Sequence, residues 1–219
     1  MNIVLIGPPG SGKGTQAQKI LTDFSSLAYF SAGNILRALS REKSSLGLEV
    51  GEIMQQGRLV SDQLMVKIVI DFLTKNPDRS IVFDGYPRGI DQAVFLEKAL
   101  IDRSGVGLVI NIRLSREILI KRLSSRIICR KCETVFNLIT NPPKKENSCD
   151  LCGGGLYQRD DEKPEAVEKR LVVFKNQTEP VIKFFENKNL VFDIDGDQPI
   201  EAIYQIIKKK LISLGLKLK

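Results

Sequence analysis

The chain is 219 residues long, 42% hydrophobic, and carries a formal net charge of +7 with no histidine and no tryptophan. That length and apolar content support one α/β core with insertions, while the missing histidine excludes imidazole-based acid–base or nucleophilic chemistry, and no apolar run approaches the roughly 20 residues that span a bilayer. With only 6% aromatic residues, platforms on which bases could stack are scarce, so small phosphorylated substrates explain the arginines as well as nucleic acid does.

The first predicted strand, Ile3-Val4-Leu5-Ile6, runs into Gly7-Pro8-Pro9-Gly10-Ser11-Gly12-Lys13-Gly14-Thr15 and then a helical pattern from Gln16 to Phe24. Strand, glycine-rich turn and helix start form a phosphate cradle: backbone N–H groups point inward, the helix dipole favours anions, and Lys13 adds a point charge. Gly10, Ser11, Gly12, Lys13, Gly14 and Thr15 are therefore the expected triphosphate-binding residues, although the common pattern has Ser or Thr directly after the lysine and here Gly14 intervenes. Leu27 to Phe30 reads as a second strand, followed by two short helices up to Gly57, with Asn34 expected to cap one of them. Ser61 is the expected N-cap of a helix carrying Leu64, Ile68 and Phe72 on one face, ended by Asn76-Pro77-Asp78.

Ile81-Val82-Phe83 reads as a buried strand ending in Asp84-Gly85-Tyr86-Pro87-Arg88. Ligands gather at the carboxyl ends of strands in doubly wound sheets, so Asp84 and Arg88 are expected to face the same crevice as Lys13. Asp84 suits the water shell of a Mg²⁺ ion, and Arg88 suits a phosphoryl group lying between two nucleotides. Val106 to Ile112 is a further strand. Ser115 then caps a helix bearing Ile118, Leu119, Arg122, Leu123 and Arg126, which would place Arg122 and Arg126 on one face, where an anion would relieve their repulsion. Val167 to Asn187 reads as one long helix, Leu190 to Ile194 as the last strand, and Pro199 to Leu214 as a closing helix.

All the cysteines fall in Cys129-Arg130-Lys131-Cys132 and Cys149-Asp150-Leu151-Cys152. Two such pairs on tight turns can present four thiolates tetrahedrally, which suits structural Zn²⁺, with iron in the same ligands and a disulfide framework as the alternatives. Four cysteines would fill the coordination sphere, leaving no open position for catalysis, and Arg130, Lys131, Lys144 and Lys145 lie nearby to offset the negative charge.

The Gly-Lys-Gly-Thr turn, the Asp-Gly-Tyr-Pro-Arg run and the cysteine insertion, in that order, resemble the adenylate kinases among the nucleoside-monophosphate kinases, in their long-lid bacterial form with a zinc-binding lid. The resemblance covers essentially the full length. It implies an α/β fold of the P-loop NTPase type, a five-stranded parallel sheet wrapped by helices with two mobile insertions: a core of 1–30, 61–125 and 164–219, a monophosphate-binding insertion at 31–60, and a lid at 126–163. It further implies that Lys13, Arg88, Arg126, Arg159 and Arg170 are catalytic. Donor ATP would meet the phosphate cradle, Arg122 stacking on its adenine, Arg126 on its phosphates, and the loop Asp195-Gly196-Asp197-Gln198-Pro199 through the backbone near Gln198. Acceptor AMP would meet Ser31, Ala32, Arg37, Arg58, Val60, Gly85, Arg88, Gln92, Arg159 and Arg170, with Arg37 on its phosphate and Gln92 on the adenine edge.

The activity so implied is reversible transfer from Mg·ATP to AMP, giving two ADP, by a cytoplasmic monomer with a structural Zn²⁺, no nucleic-acid partner and no membrane. An N-terminus without a basic region before Ile3 agrees with that location. Departures occur at Asn34, Tyr86, Gly89, Ser125, Ile127 and Glu133 to Asn137. Ala32 stands where adenylate kinases usually have Thr and pyrimidine-monophosphate kinases have Ala, which keeps CMP or UMP as alternative acceptors; Gln92 and the long lid favour AMP. An ATP-dependent nucleic-acid-binding protein using the cysteine ribbon is the alternative from another class.

Overall fold

The computed structural model describes residues 1–159, 162 and 164–219; Asp160, Asp161 and Lys163 of the predicted lid lie outside the described residues. The first apolar run forms β1 (Asn2–Ile6), buried along its whole length, as a strand covered by helices on both faces must be. It lies in the middle of a parallel five-stranded sheet of order β2 (Ala28–Ser31), β3 (Ile81–Asp84), β1, β4 (Val106–Arg113), β8 (Val191–Asp195). Leu5 pairs with Asp84 in the β1–β3 register. The turns leaving these two strands therefore start side by side at the carboxyl edge, where the chain's polar motifs converge.

Apolar clusters cover both faces. On one, Phe30, Phe83 and Tyr86 pack with Met65, Val69 and Leu96; Phe30 meets Tyr86 edge-on at a ring distance of 5.8 Å. On the other, Ile3, Leu5 and Ile110 pack with Ile20, Phe24, Ile207 and Leu211. The helices supplying these side chains are α1 (Lys13–Asp23), α4 (Asp62–Lys75), α5 (Ile90–Ala99) and α9 (Ile200–Ser213). Each large apolar side chain so buried contributes about 1.5–3 kcal/mol. The stretch between β2 and α4 folds as α2 (Ala32–Ser40) and α3 (Ser45–Gln55), each with a serine N-cap.

Three expectations change. Asn34 does not cap a helix: α2 begins at Ala32, and Ser31 Oγ accepts the Asn34 N–H at 3.4 Å, because Ser31 is the last extended residue of β2 and the cap position belongs to it. Arg126 is not on the helix with Arg122. The helix α6 (Arg116–Ser124) stops because its last carbonyls find side-chain donors: Ser125 Oγ donates to Lys121 O at 2.7 Å, and Asn137 Nδ2 donates to Arg122 O at 2.9 Å. Arg126 then opens β5 (Arg126–Cys129), which pairs antiparallel with β6 (Val135–Asn137) and β7 (Leu156–Tyr157). Two of the departures noted in the sequence, Ser125 and Asn137, are thus partners, joined at 2.9 Å.

The third change concerns the long helix, which is α7 (Pro164–Val173), a π-helical turn at Phe174–Thr178, and α8 (Glu179–Glu186). Pro180 has no N–H to continue the ladder, and the Glu179 N–H bonds back to Phe174 O, five residues earlier.

Candidate active site

The carboxyl edge of the sheet opens into a cavity of about 1250 Å³, larger than the roughly 300–1,000 Å³ that holds one drug-sized ligand. Every predicted nucleotide-binding or catalytic residue lines it: Gly10 to Thr15, Ser31, Ala32, Arg37, Arg58, Val60, Asp84, Gly85, Arg88, Gln92, Arg122, Arg126, Arg159, Arg170 and Gln198. Among the described residues, nine cations and three carboxylates line it, an imbalance that favours polyanions.

The cradle begins where β1 ends. Gly7, Gly10 and Gly12 adopt positive φ, and Gly12 is the N-cap of α1. Lys13 Nζ donates to Gly7 O at 2.7 Å, Pro8 O at 3.0 Å and Ser11 Oγ at 3.4 Å. Burial lowers its pKa from the usual 10.5 to about 8, helped by repulsion from Arg88, Arg170 and Arg126 and opposed by Asp84. Across the cradle, Asp84 Oδ2 accepts from the Tyr29 hydroxyl at 2.9 Å. A Cβ at position 14 would stand 3.5 Å from that oxygen, so the glycine following Lys13 keeps the ground before the carboxylate clear. A carboxylate at a strand end, held on one oxygen and facing the phosphate cradle, is fitted to hold a hydrated Mg²⁺ accompanying a nucleotide.

Arg88 is fixed by its backbone as well as its side chain. Its N–H donates to Gln92 Oε1 at 2.9 Å, its carbonyl accepts from Thr178 Oγ1 at 3.0 Å, and its Nε donates to Gly85 O at 2.8 Å. The π-helical turn carries Thr178 to this contact, and Gly85 adopts φ +72°, a conformation that favours glycine, with a Cβ there 3.1 Å from the Arg88 guanidinium. Tyr86, in place of Phe, keeps the aromatic packing and donates its hydroxyl to Gln92 O at 3.4 Å.

Arg37 donates to Asn34 Oδ1, and Arg122 donates to Gly196 O at 3.0 Å, tying α6 to the loop that carries Gln198. Arg126 and Arg159 pair with the same carboxylate, Glu162, the latter at 3.6 Å. Glu162 is 1% exposed, so its charge is compensated by those guanidinium groups. Arg41, at the C-terminal end of α2, meets the cavity-lining Glu133 at 3.0 Å.

Sequence reasoning missed Tyr29, Asp62, Glu162 and Thr178. Tyr29 looked like one more apolar strand residue and Asp62 like a charge in a first helical turn. Thr178, a buried hydroxyl in the middle of a helical stretch, offered the clearest signal, since such a group has to find a partner.

The lid cysteines come together as the spacing requires. All four are free thiols with their sulfurs within 4.8 Å of one another. The Cys132–Cys152, Cys129–Cys152 and Cys132–Cys149 separations are 3.3, 3.4 and 3.5 Å, near the edge of about 3.8 Å for thiolates around a common Zn²⁺. The surroundings lower two of the thiols and, against the pull of the Gly154 backbone N–H, push Cys152 up to about 12 through its hydrogen bonds with Cys132 and Cys129. Cys132 is lowered to about 6, first by its hydrogen bond with the Thr134 hydroxyl, and Cys129 is lowered first by the Cys132 backbone N–H. Gly154 makes the close approach possible, because a Cβ there would fall 2.8 Å from Cys129 Sγ. These residues fit Zn²⁺ in the structural role, and the disulfide alternative does not apply.

The chain is similar to known proteins over nearly its whole length. A family model described as adenylate kinase matches residues 5–190. The adenylate kinase of Methanosarcina mazei is 44% identical over 214 residues, covering 96% of this chain and 98% of its own length. That of Bacillus licheniformis is 43% identical over 216 residues, covering 96% and 98%, and that of Bacillus pumilus 42% over 217 residues, covering 98% and 100%. A family model matching residues 5–190 and relatives 42–44% identical over nearly the full chain place the chain in the adenylate kinase family.

Proposed function

We propose that Lys13, Arg88, Arg126, Arg159 and Arg170 carry the phosphoryl transfer, with ATP on the Gly10–Thr15 cradle and AMP between Arg37, Arg58, Val60 and Gln92. The activity of the family is reversible transfer from ATP to AMP, giving two ADP, and this chain is an adenylate kinase in that sense. The observation that carries the residue assignment is that the predicted donor, acceptor and transfer residues all line one cavity.

Phosphoryl transfer asks little covalent chemistry of a protein; it requires in-line placement and stabilisation of charge spreading over the equatorial oxygens. Lys13 and Arg88 leave adjacent strand ends, so they reach a transferring group from the donor and acceptor sides. Arg126 and Arg159 are held by Glu162, which presents them without the freedom of long exposed side chains. A Mg²⁺ bound with the nucleotide neutralises phosphate charge, and Asp84, steadied by Tyr29, would hold it through water. The segments 31–60 and 126–163 close over the nucleotides and exclude water, which otherwise would accept the phosphoryl group.

We infer that the enzyme is a cytoplasmic monomer without a nucleic-acid partner. Four free thiols suit a reducing compartment, and much of the positive charge serves the cavity. Among the described residues no helix is long and apolar enough to cross a membrane. The test is ADP formation from Mg·ATP with AMP, CMP, UMP and GMP presented separately. AMP is expected to be preferred at least about a hundredfold over UMP and GMP; comparable rates with UMP would overturn the acceptor assignment. Salt-sensitive binding of DNA or RNA at micromolar concentration would count for the alternative class.

The lid metal is assigned to stability rather than to chemistry, because four cysteines leave no position for substrate. Stripping zinc with a chelator is expected to lower the unfolding midpoint by roughly 10 °C and to spare most turnover at temperatures where the lid stays folded. Loss of turnover with the lid demonstrably folded would contradict that division.

A further inference from the structure

The side-chain amide of Gln92 is held at both ends. Its Oε1 accepts from the Arg88 N–H at 2.9 Å, and its Nε2 donates to Asp62 Oδ1 at 2.6 Å. Each partner has a single polarity: a peptide N–H only donates, and an ionised carboxylate only accepts. Turning the amide by 180° would set its N–H groups against an N–H and its oxygen against a carboxylate. Both hydrogen bonds would be lost at a residue only 3% exposed, leaving two partners of fixed polarity opposed to the amide. The orientation of the amide, usually an assignment made from surrounding hydrogen bonds, is here dictated by two neighbours that allow one answer.

A primary amide has two donors and two lone pairs. After its bonds to Asp62 and Arg88, Gln92 keeps one N–H and one lone pair, and it lines the cavity with Arg37, Val60 and Met65. We propose that Asp62 is a specificity-determining positioning residue: by fixing Gln92 Nε2 it denies the amide its flipped orientation. With the Nε2 end placed at the ring nitrogen of the base and the Oε1 end at the exocyclic group, the remaining edge is complementary only to a base that pairs a ring-nitrogen acceptor with an exocyclic amino donor. This rests on the assignment of Gln92 to the acceptor base.

Adenine (N1 and the 6-amino group) and cytosine (N3 and the 4-amino group) have that pattern. Hypoxanthine, guanine and uracil present the reverse, a ring N–H beside an oxo group. The clamp therefore rejects GMP, IMP and UMP by polarity, whereas CMP satisfies Gln92 and is discriminated by size. The signal from Ala32 and the signal from Gln92 are consequently opposed over UMP but not over CMP.

The experiment compares kcat/KM for AMP with kcat/KM for IMP, two purine nucleotides that differ at the 6-substituent and the N1 proton. It uses the wild-type enzyme, Asp62→Ala and Gln92→Leu. Because both values come from one preparation, their ratio is independent of the fraction of folded protein, and a purely structural role for Asp62 would lower both together. The wild-type ratio is expected to be large and to fall at least tenfold in Asp62→Ala. Asp62→Asn, which keeps size and helix position but allows either polarity, should lower it at least threefold and serves if the alanine variant does not fold. If Gln92→Leu leaves the ratio unchanged, the assignment of Gln92 to the base fails and this inference with it. If Gln92→Leu collapses the ratio while both Asp62 variants hold it within twofold, the role of Asp62 is overturned and Gln92 keeps its own.

Discussion

An Arg88→Ala variant is expected to fold, to bind both nucleotides, and to turn them over about 10²–10³-fold more slowly than the wild type, the loss associated with removing one preorganised donor from a developing charge. The fold should survive because the contacts that place residue 88 run through its backbone, to Gln92 and to Thr178, and alanine retains both. What disappears is the guanidinium, whose Nε is braced on Gly85 O and whose remaining N–H groups form a planar fork suited to phosphoryl oxygens. Arg88→Lys should recover little of the rate, since a single ammonium cannot reproduce the fork. Steady-state kinetics with saturating ATP and AMP decides the matter: a kcat within tenfold of the wild type in the alanine variant would remove Arg88 from the transfer step.

Lys13→Met should reduce kcat by a comparable or larger factor, and it carries a second signature in pH. Lys13 has a pKa lowered to about 8, chiefly by burial, so without nucleotide it loses its proton as pH rises through 8. Phosphate oxygens beside it favour the charged form, and ATP binding above pH 8 must then take up a proton. Affinity for ATP should accordingly fall by up to tenfold per pH unit above 8 in the wild type, and this dependence should vanish in Lys13→Met. Calorimetric titrations at pH 7 and pH 9 in two buffers would measure the proton count; no uptake at pH 9 would contradict the assignment.

The sign for stability is opposite. Between pH 8 and the unfolded value of 10.5 the unfolded chain binds more protons than the fold, so the penalty of keeping Lys13 charged is complete below 8 and is lifted as pH rises. Lys13→Met removes the penalty outright, and the nucleotide-free variant should unfold at a higher temperature than the wild type, a case of activity opposing stability.

The parts of this protein that were legible in its sequence are those set by local chemistry. The Gly7–Thr15 turn needs glycine at fixed offsets, Cys129, Cys132, Cys149 and Cys152 need tight turns, and Ser61 and Ser115 cap helices as their positions suggest. What was not legible depended on partners distant in the chain. The spacing of Arg122 and Arg126 fits a helix face, yet Asn137, from a strand still to come, takes the carbonyl that would have continued that helix. Val167 to Asn187 reads as one helix with Pro180 inside it, and only the packing of Thr178 on the Arg88 carbonyl gives the π-helical turn a use. The Gln92–Asp62 bond joins residues thirty positions apart, and neither side chain alone hints at the other.

The contact between Arg41 and Glu133 joins the 31–60 stretch to the 126–159 stretch, with side chains 56% and 35% exposed. An ion pair so open to water is worth about 0–1 kcal/mol. Translated into occupancies, it would tilt the ratio of closed to open enzyme in the proposed closing by about fivefold at most, and added salt erodes even that. Such a bias is too small to shut the enzyme and too small to trap a product. In the closing proposed above, the remaining free energy would come from contacts with the bound nucleotides, which links shutting to loading.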